Sequence, residues 1–172
     1  GRGVVQPWAM SFWQKRDLVM HDEADIRASS RALLEEKPEQ RRAVVERYAA
    51  ALNLQGDAAR GQAVFSKVCA ACHTLDTLGP GDLGPDLATV RHKPVSALLT
   101  DILLPNQAIA QRYESYVVER VSGGLESGVV GQQTPTSVTL RQLGREVVIP
   151  RRDIKRMTVV PQSAMPPDLD RL

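Results

Sequence analysis

The stretch Gly61-Gln62-Ala63-Val64-Phe65-Ser66-Lys67-Val68-Cys69-Ala70-Ala71-Cys72-His73 decides how this chain is read. Its last five residues set two thiols and an imidazole at the spacing that covalent haem attachment requires. The sulfurs add across two vinyl groups, and the histidine beside the second sulfur becomes an iron ligand. Two intervening residues let one turn of backbone place both sulfurs along a single porphyrin edge. Cys69 and Cys72 are the only cysteines of the chain, so none is left for a thiolate cluster. A zinc site would need two more ligands, and the remaining imidazoles, His21 and His92, lie far apart. A thioredoxin-like pair would want a strand–helix–strand context that these flanks lack. A structural disulfide would leave His73 without a role. The motif therefore predicts one haem c, held by Cys69 and Cys72, with His73 on iron.

Upstream, residues 56–69 read as a helix capped by Asp57 that turns Val64, Phe65 and Val68 toward a core. Downstream, Gly79-Pro80-Gly81 and Gly84-Pro85-Asp86-Leu87 are two Gly/Pro punctuations suited to a loop wrapping close to a flat ligand. This order resembles the class I cytochrome c pattern. By that resemblance the carbonyl of Pro85 accepts the second N–H of His73, which fixes the ring and raises its basicity.

A sixth iron ligand is sought among four methionines. Met10 and Met20 lie in an N-terminal region that reads as helical, and Met157 lies in an alternating, strand-like run. Met165 stands in Ser163-Ala164-Met165-Pro166-Pro167, an irregular segment stiffened by prolines. A soft, neutral thioether on a fixed backbone suits a low-spin haem of raised potential, so Met165 is the favoured ligand, with Met157 and His92 in reserve.

Between these sites, residues 94–104 read as a helix with an apolar stripe of Val95, Leu98, Leu99, Ile102 and Leu103. From Tyr113 the period changes to two. Turns at Ser122-Gly123-Gly124, Thr134-Pro135-Thr136 and Gly144-Arg145 separate four or five short antiparallel strands.

The succession Gly-x-x-Val-Phe-x-x-x-Cys-x-x-Cys-His, then Ile102-x-x-Pro105-Asn106-x-x-Ile109-x-x-x-Tyr113, then a Gly-turned β segment, then Ser163-x-Met165-Pro166 is similar to the haem-binding cytochrome domain named for Pirellula and Verrucomicrobium. The likeness covers residues 54–172. It implies Met165 as distal ligand, and haem-pocket or loop-fixing roles for Asn106 and Tyr113. Helix termination and core packing are the plain alternatives for these two. Relatives in that family continue past the Met loop into a C-terminal helix, for which Asp168–Leu172 is too short. The resemblance thus implies either a chain cut from a larger protein or upstream residues that replace the lost packing.

The first fifty-odd residues read as two or three helices. A charged stretch covers Asp22–Lys37, and Pro38 opens a second helix with Val44, Val45, Tyr48, Ala49 and Leu52 on one face. Trp8, Phe12 and Trp13 form an aromatic cluster ahead of them. The expected organisation is a helical extension over residues 1–53, a possible tail of an upstream repeat domain. A monohaem domain over 54–172 would follow, with a β insert at about 114–160. The expected fold is mainly α with a small inserted antiparallel sheet, class I cytochrome c-like.

A formal charge of +2 gives no basic surface for nucleic acid or anionic membrane, and no apolar run approaches the length of a bilayer span. Arg91, Lys93 and Arg112 flank the motif's loops as possible partners of a haem propionate. Gly1-Arg2-Gly3 opens no signal peptide, and covalent haem attachment implies a periplasmic or otherwise extracytoplasmic site, so a processed leader is expected. Together these readings predict a non-enzymatic, single-electron carrier serving a redox partner protein or a fused dehydrogenase domain. A haem-based sensor or small-ligand binder with a labile or open sixth site is the alternative. The oligomeric state is not legible.

Overall fold

In the computed structural model, which describes residues 10, 14–15, 18, 21, 23–34, 38–79 and 81–171, short helices precede a five-stranded antiparallel sheet. The aromatic cluster Trp8, Phe12 and Trp13, together with Met20, lies outside the described residues. Helix α1 spans Ala24–Leu34 and α2 spans Pro38–Tyr48. Pro38 stands at the first helical position, where a missing N–H costs nothing. A 3-10 turn over Ala49–Asn53 ends this region. The change of helix type takes Ala49 and Leu52 off the face shared by Val44 and Val45. Tyr48 and Leu52 are exposed, and the residue that α2 buries is Arg41, at 6% exposure.

Helix α3, Ala58–Val64, starts where the Asp57 carboxylate accepts the Arg60 N–H at 2.9 Å. Removing this cap by Asp57→Ala is expected to cost about 1 kcal/mol in urea unfolding; an unchanged midpoint would count against it. The helix then widens into a π turn over Phe65–Cys69, closed by the Ala70 N–H on the Phe65 carbonyl at 2.9 Å. The extra residue per turn breaks the helical phase. Phe65 is buried and Val68 half-buried, while Val64, expected on the same core face, is exposed.

Helix α4, Val95–Leu103, packs its end against α2, the 49–53 turn and a last 3-10 turn at Leu169–Arg171. Only Leu103 of its apolar stripe is fully buried; Val95 and Ile102 remain exposed.

The strands are β1 Glu114–Arg120, β2 Leu125–Gln133, β3 Ser137–Gln142, β4 Arg145–Pro150 and β5 Ile154–Ser163. Three tight hairpins set the order β4-β3-β2-β1-β5, in which β5 returns to pair with β1. Gly123, Gly124 and Gly144 take the positive φ that two of the turns require. One face carries Val118, Val138, Leu140 and Ile149, each wholly buried, with Tyr116, Val130, Val147, Ile154 and Met157 packed around them. This is the best-formed core among the described residues. The architecture is therefore mixed helix and sheet rather than mainly α, because the period-two segment closes a core of its own while the helices stay short. The last strand also runs to Ser163, past the expected boundary near 160. Its end pairs with Glu114, so the chain leaves the sheet directly into the Met165 segment.

Candidate functional site

The Cys69 carbonyl accepts the N–H groups of both Cys72 and His73, at 3.0 and 2.9 Å, so the motif folds as one tight turn on the end of the π helix. Both cysteines are free thiols and half-buried. Burial pushes the Cys69 thiol up from its ordinary pKa. Burial first, then the neighbouring Cys69 and Asp82, push up that of Cys72. Thiol-redox pairs work through the opposite shift, toward a stable thiolate, so these surroundings disfavour that chemistry. Among the described residues no group of three or more His, Cys, Asp or Glu converges as a metal cluster.

The loop after the motif closes onto His73. Its Nδ1 lies 2.8 Å from the Pro85 carbonyl oxygen. A carbonyl can only accept, so Nδ1 is the nitrogen that carries the proton here, and Nε2 is the one left to face a metal. The Gly84 N–H donates to the Cys72 carbonyl and the Leu87 N–H to the Thr74 carbonyl, each at 2.8 Å. The Thr74 hydroxyl donates to the Gly81 carbonyl at 3.0 Å.

Three glycines make this approach possible. A Cβ on Gly81 would sit 2.1 Å from the His73 carbonyl carbon, and one on Gly79 would sit 2.2 Å from the His73 carbonyl oxygen. A Cβ on Gly84 would stand 2.4 Å from Cε1 of the imidazole. The sequence suggested that these glycines let the loop wrap a flat ligand. The structure places them against His73 itself, as a cradle for its backbone and ring. Gly79 also needs its φ of +83°. Two thiols on one turn, an imidazole with its Nε2 free to ligate and its Nδ1 held, and a loop lined by glycine together fit a covalently attached haem with axial histidine.

The expected distal side is assembled from β5 and the loop that follows α4. Asn106 lies just past α4, and its Oδ1 accepts the Ser163 N–H at 2.8 Å. The Ser163 hydroxyl in turn accepts the Met165 N–H at 3.1 Å. Asn106 thus holds the stem of the segment that carries Met165, which is half-buried. Tyr113 is half-buried at the start of β1, where its N–H closes a turn onto the Ala110 carbonyl at 3.0 Å. Of the reserve ligands, Met157 is packed on the sheet core and His92 is exposed. Of the basic residues near the motif, Arg91 is paired with Asp76, and Lys93 with Asp101 at 2.6 Å. Pro80 lies outside the described residues.

Sequence reasoning missed Arg41 and Asp170, which meet at 3.0 Å beside the Met165 segment. No local pattern marks them, since each stands among other charged residues.

A family model described as Cytochrome c matches residues 58–127, from the start of α3 through the motif and its loop into β2. The match supports a c-type, haem-binding and electron-transferring segment, and extends to neither the N-terminal helices nor the Met165 segment. No curated protein matches the chain. Among the described residues no helix is long and apolar enough to cross a membrane.

Proposed function

We propose that this chain is a monohaem c-type cytochrome that passes single electrons, with His73 and Met165 as axial ligands and residues 54–172 as the haem-bearing unit. The observation that carries the reading is the Nδ1–H of His73 on the Pro85 carbonyl at 2.8 Å, with Gly84 leaving room for the ring. Cys69 and Cys72 would hold the group by thioethers, each S–H adding whole across a vinyl bond, sulfur to one carbon and hydrogen to the other. When bound, haem supplies the one-electron ferric/ferrous couple. The residues of this chain do the rest. Pro85 keeps the imidazole of His73 in one tautomer and one orientation. Asn106 and Ser163 set the backbone from which the Met165 thioether reaches inward, and a thioether favours the reduced state more than a second imidazole would.

The finer placement follows from the same reading. The β segment ahead of the Ser163-x-Met165-Pro166 loop favours the Pirellula/Verrucomicrobium-type domain, working outside the cytoplasm as a module of a larger redox protein. It would exchange electrons with a redox partner protein or a fused dehydrogenase domain and catalyse no reaction of its own.

The test is carbon monoxide binding to the dithionite-reduced holoprotein beside Met165→Ala. The native protein is expected to give no spectral change, and the variant to bind at once. Ready binding by both would take Met165 off the iron and put a ligand-sensing role in place of electron transfer.

A further inference from the structure

We propose that Arg41 is a positioning residue for the distal ligand, holding the Met165 segment in place from the N-terminal helical extension. The inference rests on the His73/Met165 reading above. Arg41 is buried, and its guanidinium spans two acceptors: Nη1 donates to Asp170 Oδ1 at 3.0 Å, and Nη2 to the Leu103 carbonyl at 2.8 Å. The Asp170 carboxylate is buried too, with Arg47 at 3.5 Å on its other oxygen, and the Tyr48 hydroxyl donates to the Asp170 carbonyl at 3.1 Å. Three side chains of α2 thus converge on one residue of the tail.

The second acceptor explains what the contact does. Leu103 ends α4, where carbonyls lack partners within the helix. Arg41 ties that end to Asp170. Just beyond it stands Asn106, which accepts the Ser163 N–H, and Ser163 accepts the Met165 N–H. The chain from Ser163 to Asp170 is therefore strung between two fixed points, Asn106 before Met165 and Arg41 after it. Both points meet at the end of α4: Asn106 follows it, and Arg41 of α2 bonds its Leu103 carbonyl. Lys15 on Asp168 at 2.6 Å adds a further tie from the N-terminal side.

A planar fork that reaches two acceptors in different directions is what arginine offers and lysine does not. A buried ion pair is weak grounds for net stabilisation, because desolvation offsets the attraction. Its consequence here is position: with the pair broken, the segment after Met165 loses its tie to the end of α4 and opens more readily. The helical extension thus bears on the distal ligand through Arg41 and the end of α4.

The test uses the full-chain holoprotein with Arg41→Gln, Arg41→Lys and Asp170→Asn, and Met165→Ala as reference. Two quantities are read on each: the rate of carbon monoxide binding to ferrous haem, and hydrogen exchange at the Ser163 and Met165 amides. Arg41→Gln and Asp170→Asn are each expected to speed both by about tenfold or more, as a buried pair is broken and local opening grows. Arg41→Lys should fall between, as it keeps the charge and cannot reach both Asp170 and the Leu103 carbonyl. Should Arg41→Gln fail to fold, Asp170→Asn decides alone. Native exchange rates at both amides in the variants would overturn the proposal. If the native protein binds carbon monoxide as fast as Met165→Ala, the ligation reading fails instead. The role of Arg41 then stands or falls on the exchange rates: faster in the variants upholds it, unchanged removes it.

Discussion

Gly81→Ala is expected to leave the motif loop unable to close, lowering the unfolding free energy by about 3 kcal/mol or more and sharply reducing the yield of haem-bearing protein. The new methyl group would stand 2.1 Å from the His73 carbonyl carbon and 2.4 Å from the Thr74 nitrogen. These are backbone atoms inside the motif, and no rotamer change can relieve the overlap. Either the loop lifts off, losing the Thr74 hydroxyl bond to Gly81 and the Gly84 bond to Cys72, or the motif turn itself distorts. Gly84→Ala should behave differently, because its methyl group meets the imidazole at 2.4 Å and a ring can rotate. The loop should survive while His73 turns off the Pro85 carbonyl, so the thioethers form but the axial ligation spectrum changes. Gly61→Ala is the control. It lies within α3 with nothing inside 4 Å of the added carbon, and should be neutral or stabilise by about 0.5–1 kcal/mol. Haem staining on denaturing gels and urea curves measure all three. A Gly81→Ala protein with full haem yield and a native curve would mean that the cradle is not required.

The contrast among these glycines shows what the sequence made legible. Cys69, Cys72 and His73 stood out at once, because covalent haem chemistry dictates identity and spacing within five residues, and the structure gathers them on one turn. The strands were readable from their period of two, and the Asp57 cap from its place before an amphipathic run. The sequence placed Gly79, Gly81 and Gly84 in a close-wrapping loop but did not mark His73 as a surface they approach. That contact depends on how the loop folds back, which spacing does not encode. Val64 was misplaced because a π turn shifts the helical phase, and nothing local distinguishes a π turn from an α turn. Arg41 was hidden for another reason. Its partner lies 129 residues away, and one arginine in Gln40-Arg41-Arg42 reads as solvated surface until the fold brings Asp170 to it. The balance of helix and sheet was misjudged on similar grounds. The segment expected at about 114–160 was read as a small insert, whereas Val118, Val138, Leu140 and Ile149, all wholly buried, form a core of their own.

That separate core makes Leu140→Ala the most informative substitution away from the motif. Leu140 is wholly buried in a cluster with Val118, Val138 and Ile149, so its truncation removes buried methyl groups and leaves a cavity. The expected loss is about 2–5 kcal/mol, against less than about 0.5 kcal/mol for Val148→Ala, whose side chain is exposed on edge strand β4. With Met165 on iron as proposed, the effect should also reach the metal. The Met165 segment leaves the sheet at Ser163, which is paired with Glu114 on β1. When the sheet melts, the stem of that segment loses its strand partner and keeps the Asn106 bond. In a thermal scan of holo Leu140→Ala, the iron–thioether absorption band of the ferric protein should therefore disappear together with the sheet's circular dichroism. The thioethers and the His73 bond to Pro85 belong to a loop built on α3 and should outlast it. Loss of the band well below the sheet transition would assign control of Met165 to the tail anchored by Asp170. A band that persists above the transition would show that Asn106 and Arg41 suffice to hold the ligand without the sheet. The order of these two events thus decides which of the three attachments, strand, asparagine or buried arginine, governs the sixth ligand.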